Sequence, residues 1–276
     1  MSTLNDTPHS AISRTQWQRY DSKQSLLLWL GWLSFVALTV FAWQVMNKDT
    51  IWYFVTDSPN QLADISSRMW PPRWSYLDSL WSPLWDTINI ATLGTLLGIV
   101  LAFPVAFLAA RNTTPSATFI RPIALFIIAA SRSINSLIWA LLLVAIIGPG
   151  LLAGIIAIAL RSIGFVAKLM YEAIEEVNVT QMSAIQATGA SPLQVLNYGI
   201  LPQVMPSFIG TSLFRWDINI RESTVLGLVG AGGIGLKLQE SMAMLAWPQV
   251  TVIFCAILVT VIFSEWLAAK ARTALI

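Results

Sequence analysis

The chain has 276 residues, of which 56% are hydrophobic and 11% charged, with a formal net charge of +2; a soluble domain carries about 25% charged residues, so a single soluble core is excluded. One cysteine, Cys255, excludes a disulfide framework or a thiolate cluster, and one histidine, His9 in a polar tail, excludes zinc and Ser-His chemistry. The composition is that of an all-α integral membrane protein whose surroundings are the lipid bilayer; no metal site in the chain and no nucleic acid partner are expected.

Residues 1–24 are polar and mixed in charge, and read as a cytoplasmic N-terminal tail with Arg14, Arg19 and Lys23 ahead of the first apolar run. Residues 25–46 are apolar for more than the ~20 positions that cross a bilayer. They predict a retained first transmembrane helix, because a secretory signal has a shorter apolar region and a small-residue cleavage site. Residues 47–87 form the longest polar interval, rich in Trp, Pro and Asp. Its tryptophans suit the headgroup layer, and Asp49, Asp57, Asp64, Asp78 and Asp86 outnumber Lys48, Arg68 and Arg73, as in a periplasmic loop.

A core over 88–269 follows. Its first helix, the second span from Ile88 to Ala110, holds Gly94 and Gly98 at GxxxG spacing for close helix approach, and Pro104 predicts a kink. Arg111 and Arg121 flank a short connection and mark it as cytoplasmic. The third span, 122–147, is turned back by Gly148-Pro149-Gly150 into the fourth, 151–170, which predicts antiparallel neighbours.

Residues 171–204 are a polar loop between apolar runs and read as a helix–Gly–helix elbow. Asn178 and Gln181 have capping-box spacing, Gly189 stops the first helix, and Ser191, Pro192 and Gln194 start the second. Leu201-Pro202 is expected to close it, since proline disfavours the α region in the residue before it. The fifth span, about 205–229, leads into Gly230-Ala231-Gly232-Gly233-Ile234-Gly235. This run formally fits a dinucleotide fingerprint but follows a membrane helix instead of a strand, so it reads as a flexible break where helices pack closely. No G-x-x-x-x-G-K-[ST] occurs, so the chain does not bind ATP by a P-loop. The sixth span, 247–269, ends at Lys270 and Arg272 in the C-terminus, 270–276. Six spans place both termini in the cytoplasm, together with Arg111, Arg121 and Lys168, and leave Lys48, Arg68, Arg73 and Lys237 outside.

Ionisable residues inside the spans mark a pathway or a structural pairing, because each is expensive in lipid unless paired or wet. Arg132 and Asn135 are three apart and are expected on one face of span three, and Arg161 interrupts span four. In span five Asp217 and Arg221 are an i,i+4 pair, with Arg215, Asn219 and Glu222 on the neighbouring stripe. Two readings stand: structural ion pairs between helices, or a translocation cavity given a positive field for an oxyanion by Arg132, Arg161 and Arg215 or Arg221.

The elbow residues Ser183-Ala184-Ile185, Gly189-Ala190-Ser191 and Leu201-Pro202 resemble the cytoplasmic EAA loop of ABC importer permeases, with Ser183 in place of Glu and Gly199 in place of a β-branched residue. RSIN at Arg132, KLMYEAIEEV at Lys168, GILPQVMP at Gly199 and LVGAGGIG at Leu228 are similar to the phosphonate importer branch of that family. The resemblance implies a type I ABC importer permease fold of about six transmembrane helices with a cytoplasmic coupling-helix loop. It implies that Gln181, Ser183, Ala184, Thr188, Gly189, Ala190, Ser191, Leu201 and Pro202 meet the ATPase. It further implies a non-catalytic, cofactor-free homodimer in the bacterial inner membrane, two ATPase subunits holding ATP and magnesium, and a periplasmic substrate-binding protein delivering a phosphonate, phosphite or related phosphorus oxyanion. Methionine is the alternative substrate, and a secondary transporter the alternative class.

Overall fold

The computed structural model describes residues 22–275. Most of the expected N-terminal tail, with His9, Arg14 and Arg19, lies outside the described residues, as does Ile276. The chain divides into two units, 1–62 and 63–276.

In the first unit, α1 (Ser22–Asp49) is predominantly apolar on all sides from Leu26 to Trp43, as a helix facing lipid requires, with polar residues at both ends. It is followed by α2 (Trp52–Met69), which carries the chain across the division between the units. The Trp43 and Trp52 rings lie 6.4 Å apart, and the Trp52 indole donates to the Asn47 side chain across the turn. The interval expected as a polar loop is therefore mostly helical.

The second unit is a helical bundle, opening with a 3-10 helix, Trp74–Leu80, that runs directly into α3 (Trp81–Ala109). The helix starts at Trp81 and not at Ile88 because Pro83 falls in its first turn, where no N–H is needed. The remaining elements are α4 (Ile120–Ser133), α5 (Ser136–Ile147), α6 (Leu151–Glu175), α7 (Val179–Ala187), α8 (Pro192–Val195), α9 (Leu201–Leu226), α10 (Ile234–Ala243) and α11 (Trp247–Leu275).

Packing of α3 on α6 forms the centre of the bundle. A methyl group at Gly94 would sit 2.8 Å from the Ile158 side chain, and one at Gly98 would sit 2.6 Å from Ser162 Cβ. The GxxxG pair and the buried Ala102 and Ala106 thus let the two backbones approach, which is how helices gain dispersion energy where lipid offers no hydrophobic drive. On the other side of α6, Gly164 does the same for α4: its added Cβ would lie 2.7 Å from Ile128 O.

Three expectations need correction. The third span is broken: α4 and α5 meet at 89°. Ile134 is extended and the Asn135 side chain accepts from Leu137 N at 3.1 Å, capping a new helix, so Arg132 and Asn135 do not share a helix face. Leu201-Pro202 does not close a helix either. The chain widens into a π turn over Leu196–Ile200 and continues as α9, with Pro202 in its first turn. Finally, the glycine run is a tight turn and no flexible break. A Cβ at Gly227 would meet Gly232 O and Gly235 Cα at 2.6 Å. Gly230 O accepts from Gly150 N at 3.0 Å and Ile234 N donates to Thr87 Oγ1 at 2.8 Å.

Among the described residues four helices are long and apolar enough to cross a membrane, five if the bent pair α4–α5 is one span. The expected fifth span, α9, carries Arg215, Asp217, Arg221 and Glu222, which keep it out of that apolar class. It packs on α3, α6 and α11, which bury Arg215 and Asp217 and partly bury Glu222, while Arg221 stays exposed.

Candidate translocation cavity and coupling elbow

A cavity of about 620 Å³ opens where α5, α6 and α9 meet; its polar side chains are Asn135, Ser136, Arg161, Arg221 and Glu222. Apolar walls come from Phe214 and Ile218 of α9, Leu137 of α5 and the end of α9. The break before α5 places Asn135 and Ser136 here, as an unbroken helix would not. Ser136 Oγ accepts from Arg161 at 3.3 Å and donates to Asn135 Oδ1 at 3.3 Å.

Glu222 is the hub. Its carboxylate lies 2.9 Å from Arg161 and 3.5 Å from Arg215. Arg161 keeps 31% of its side chain exposed, whereas Arg215 keeps 2%. Arg215 stands behind the cavity, with Nε donating to Ser162 Oγ at 3.0 Å and its guanidinium 5.2 Å from the Phe165 ring centre. Asn219 is fully buried and donates to Thr95 Oγ1 at 2.7 Å and to Ser162 Oγ at 3.0 Å, leaving its own carbonyl oxygen without a partner. Arg221 reaches back to Asp217, one turn earlier, and Asp217 also accepts from Ser264 Oγ of α11 at 3.0 Å.

Of the six residues expected along a pathway, Asn135, Arg161 and Arg221 therefore line one cavity, while Arg215 and Asn219 support it from behind. Arg132, exposed at the end of α4, is not among the lining side chains. The three arginines of the cluster face two carboxylates, Asp217 and Glu222, leaving one positive charge in excess. Glu222 was expected on the charged stripe of α9 but not as a pathway residue, and Ser162 was not among the expected site residues. The signal for Glu222 was its charge within a helix that has to be buried; for Ser162 there was no signal beyond its adjacency to Arg161.

The elbow lies at the other end of α9. Asn178 accepts from Thr180 N at 2.9 Å, but its own N–H donates to Gln203 of α9 at 3.2 Å and not to Gln181, so the first capping box is completed from a different helix. The second forms as expected, with Ser191 N donating to Gln194 Oε1 at 2.8 Å. Gly189 turns the chain at φ +80, and no atom lies within 4 Å of where its Cβ would be. Gln181, Ser183, Ala184, Thr188, Gly189 and Ser191 are exposed, and Ala190 is half-buried. Leu201 is half-buried and Pro202 exposed at the start of α9. Beneath them Ile185 closes over Gly199, where an added Cβ would stand 3.3 Å from the tip of the Ile185 side chain and 3.8 Å from Met182 Cα.

Residues 94–270 match the family described as "Binding-protein-dependent transport system inner membrane component". The phosphite transport system permease protein PtxC of Stutzerimonas stutzeri is 40% identical over 200 residues, 72% of this chain and 72% of that protein. The phosphate-import permease protein PhnE of Mycolicibacterium smegmatis is 37% identical over 240 residues, 87% of this chain and 44% of that protein. A probable D-methionine transport system permease protein of Vibrio cholerae is more distant, at 27% over 179 residues. Among solved structures, an inward-facing form of the MetNI methionine ABC transporter superposes with a TM-score of 0.64 at 20% identity, covering 74% of this chain and 99% of that one, a likeness of fold.

Proposed function

Because the chain belongs to the family of binding-protein-dependent transport system inner membrane components, we propose that it is the permease subunit of an ATP-driven importer for a phosphonate, phosphite or related phosphorus oxyanion. The observation that carries the substrate class is the cavity lined by Arg161 and Arg221, in a cluster whose three arginines face only the carboxylates of Glu222 and Asp217. A guanidinium fork matches two oxygens of a phosphonate group, and apolar walls strengthen that contact by excluding water. The relatives named for phosphite and phosphate point the same way.

In this reading two copies of the chain form the path in the inner membrane, with all termini cytoplasmic. A periplasmic binding protein delivers the anion, and two ATPase subunits hold ATP and magnesium and grip the elbows around Gly189 to Ser191. The permease itself carries out no chemistry. Helical continuity from α8 through the π turn into α9 supports the coupling. A displacement at the elbow moves the helix that bears Arg215, Arg221 and Glu222 against the one that bears Arg161, and so changes how much positive charge the cavity presents.

The test is uptake of radiolabelled phosphite and of an alkylphosphonate by the complete complex in vesicles. Arg161→Gln and Arg221→Gln are each expected to lower uptake about tenfold or more, the value of one charge-assisted hydrogen bond, without loss of assembly. Normal uptake by both variants would remove the cavity from the path.

A further inference from the structure

Helix α2 offers a second surface, independent of what the cavity carries. None of its 18 residues is buried. Phe54, Val55, Ser58, Leu62, Ile65 and Met69 recur at helical steps along one side, and Asp57, Asn60, Gln61, Asp64 and Arg68 along the other. The polar side is paired within itself. Asn60 and Gln61 donate to Asp57 at 3.1 and 3.0 Å, and Arg68 meets Asp64 at 3.0 Å. Those donors from Gln61 and Asn60 hold the Asp57 carboxyl below its ordinary pKa, so this side stays charged.

The opposite side leaves Phe54 58% and Leu62 67% exposed. Pro59 lacks the N–H that would have bonded the Val55 carbonyl, yet Ser58 Oγ donates to that oxygen at 2.8 Å, so the proline leaves no bare acceptor there. Such internal satisfaction is unnecessary in water and needed against hydrocarbon.

Chain path determines what lies beside this helix. The segments before and after it, Lys23–Asp49 and Trp74–Ala109, are both long and apolar enough to cross a membrane. Two successive crossings make the connection begin and end at the same face of the bilayer, whichever face that is. At its far end Met69 O accepts from Thr251 Oγ1 at 3.1 Å and Arg73 N donates to Pro248 O at 3.2 Å, both on the opening turns of the apolar helix α11. The exposed rings of Trp70, Trp74, Trp81 and Trp85 follow at once, the residue type of the headgroup layer. No basic cluster marks the polar side, so attraction to anionic lipid is not what would hold it.

We propose that α2 is an interfacial helix, lying in the headgroup layer with Phe54, Leu62 and Ile65 toward the acyl chains and Asp57, Asp64 and Arg68 toward water. It precedes the 94–270 stretch matched to the family. The only cysteine, Cys255, is exposed on α11, so a Cys255→Ala background permits site-directed spin labelling. Single cysteines at Phe54, Leu62 and Ile65, and at Asn60, Asp64 and Ser67, are labelled in the full-length chain with its ATPase in phosphatidylcholine vesicles. Collision rates with oxygen, which concentrates in lipid, and with a water-soluble nickel chelate are then compared. The oxygen-to-nickel ratio is expected to be high at the first three positions and inverted at the other three. Equal nickel access on both sides would leave the helix in water and overturn the proposal. Immobile labels at Phe54, Leu62 and Ile65, shielded from both reagents, would place that side against protein and overturn it as well.

Discussion

Glu222 forms ion pairs with Arg161 and Arg215 with only 17% of its side chain exposed, so one carboxylate answers two guanidiniums where screening by water is weak. The arrangement is asymmetric. Removing Arg161 leaves Glu222 paired with Arg215, whereas removing Glu222 leaves a fully buried guanidinium with hydrogen bonding to Ser162 alone. Glu222→Ala is therefore expected to destabilise the folded chain by about 3–5 kcal/mol, and Arg161→Gln far less, as read from thermal unfolding of the detergent-solubilised complex. Equal midpoints for the two variants would mean that Arg215 does not depend on Glu222. Arg132→Ala is the companion control. Its side chain is exposed and away from the cavity, so uptake should stay nearer wild type than in Arg161→Gln. The charges themselves were legible in the sequence, because an arginine in an apolar run is conspicuous. Which of them converge was not, since that depends on the bend at Ile134-Asn135 that swings α5 away from Arg132.

At the scale of elements, the elbow's outline could be read from caps, glycine and proline, all local signals. What joins it to the bundle could not. Pro202 suggests a stop in sequence, yet a proline in a helix's first turn loses nothing, and the π turn before it absorbs the mismatch with α8. Likewise the apolar stretches of 122–147 are interrupted only by Ser131-Arg132-Ser133 and Asn135-Ser136, of which Asn135 betrays the cap of a second helix. Gly189 separates backbone effects from contact effects. With φ at +80 and open space around it, asparagine tolerates the conformation and adds little bulk, whereas tryptophan projects into the exposed surface. Gly189→Asn should preserve stimulation of ATP hydrolysis by substrate-loaded binding protein, and Gly189→Trp should abolish it while the chain still folds; full stimulation in the tryptophan variant would sever the elbow from coupling. The α3–α6 contact is tested separately. Gly98→Leu drives a side chain into Ser162 and is expected to lower the thermal midpoint through overpacking of about 1–3 kcal/mol, while Gly31→Leu, with nothing within 4 Å in α1, should not.

For the molecule as a whole, the decisive point is where free energy enters. The 276 residues hold no G-x-x-x-x-G-K-[ST] phosphate loop, and an anion does not climb a gradient through a cavity merely because arginines line it. The geometry offers one route inward: push at the elbow, transmit through a helix unbroken from Pro192 to Leu226 apart from its π turn, and change the spacing of the charges on α9 against Arg161 on α6. Under the proposed function, a rod of that kind would convert closure of an ATPase partner into a change of field at the cavity and would relax when the nucleotide is spent. Purified chain in sealed vesicles is thus expected to bring labelled phosphite to equilibrium at most. Adding the ATPase, ATP and the binding protein should raise the internal concentration above the external one, and the Gly189→Trp variant should return it to equilibrium. Accumulation by the chain alone, driven by a proton or sodium gradient, would instead make it a secondary transporter and leave the elbow without a role.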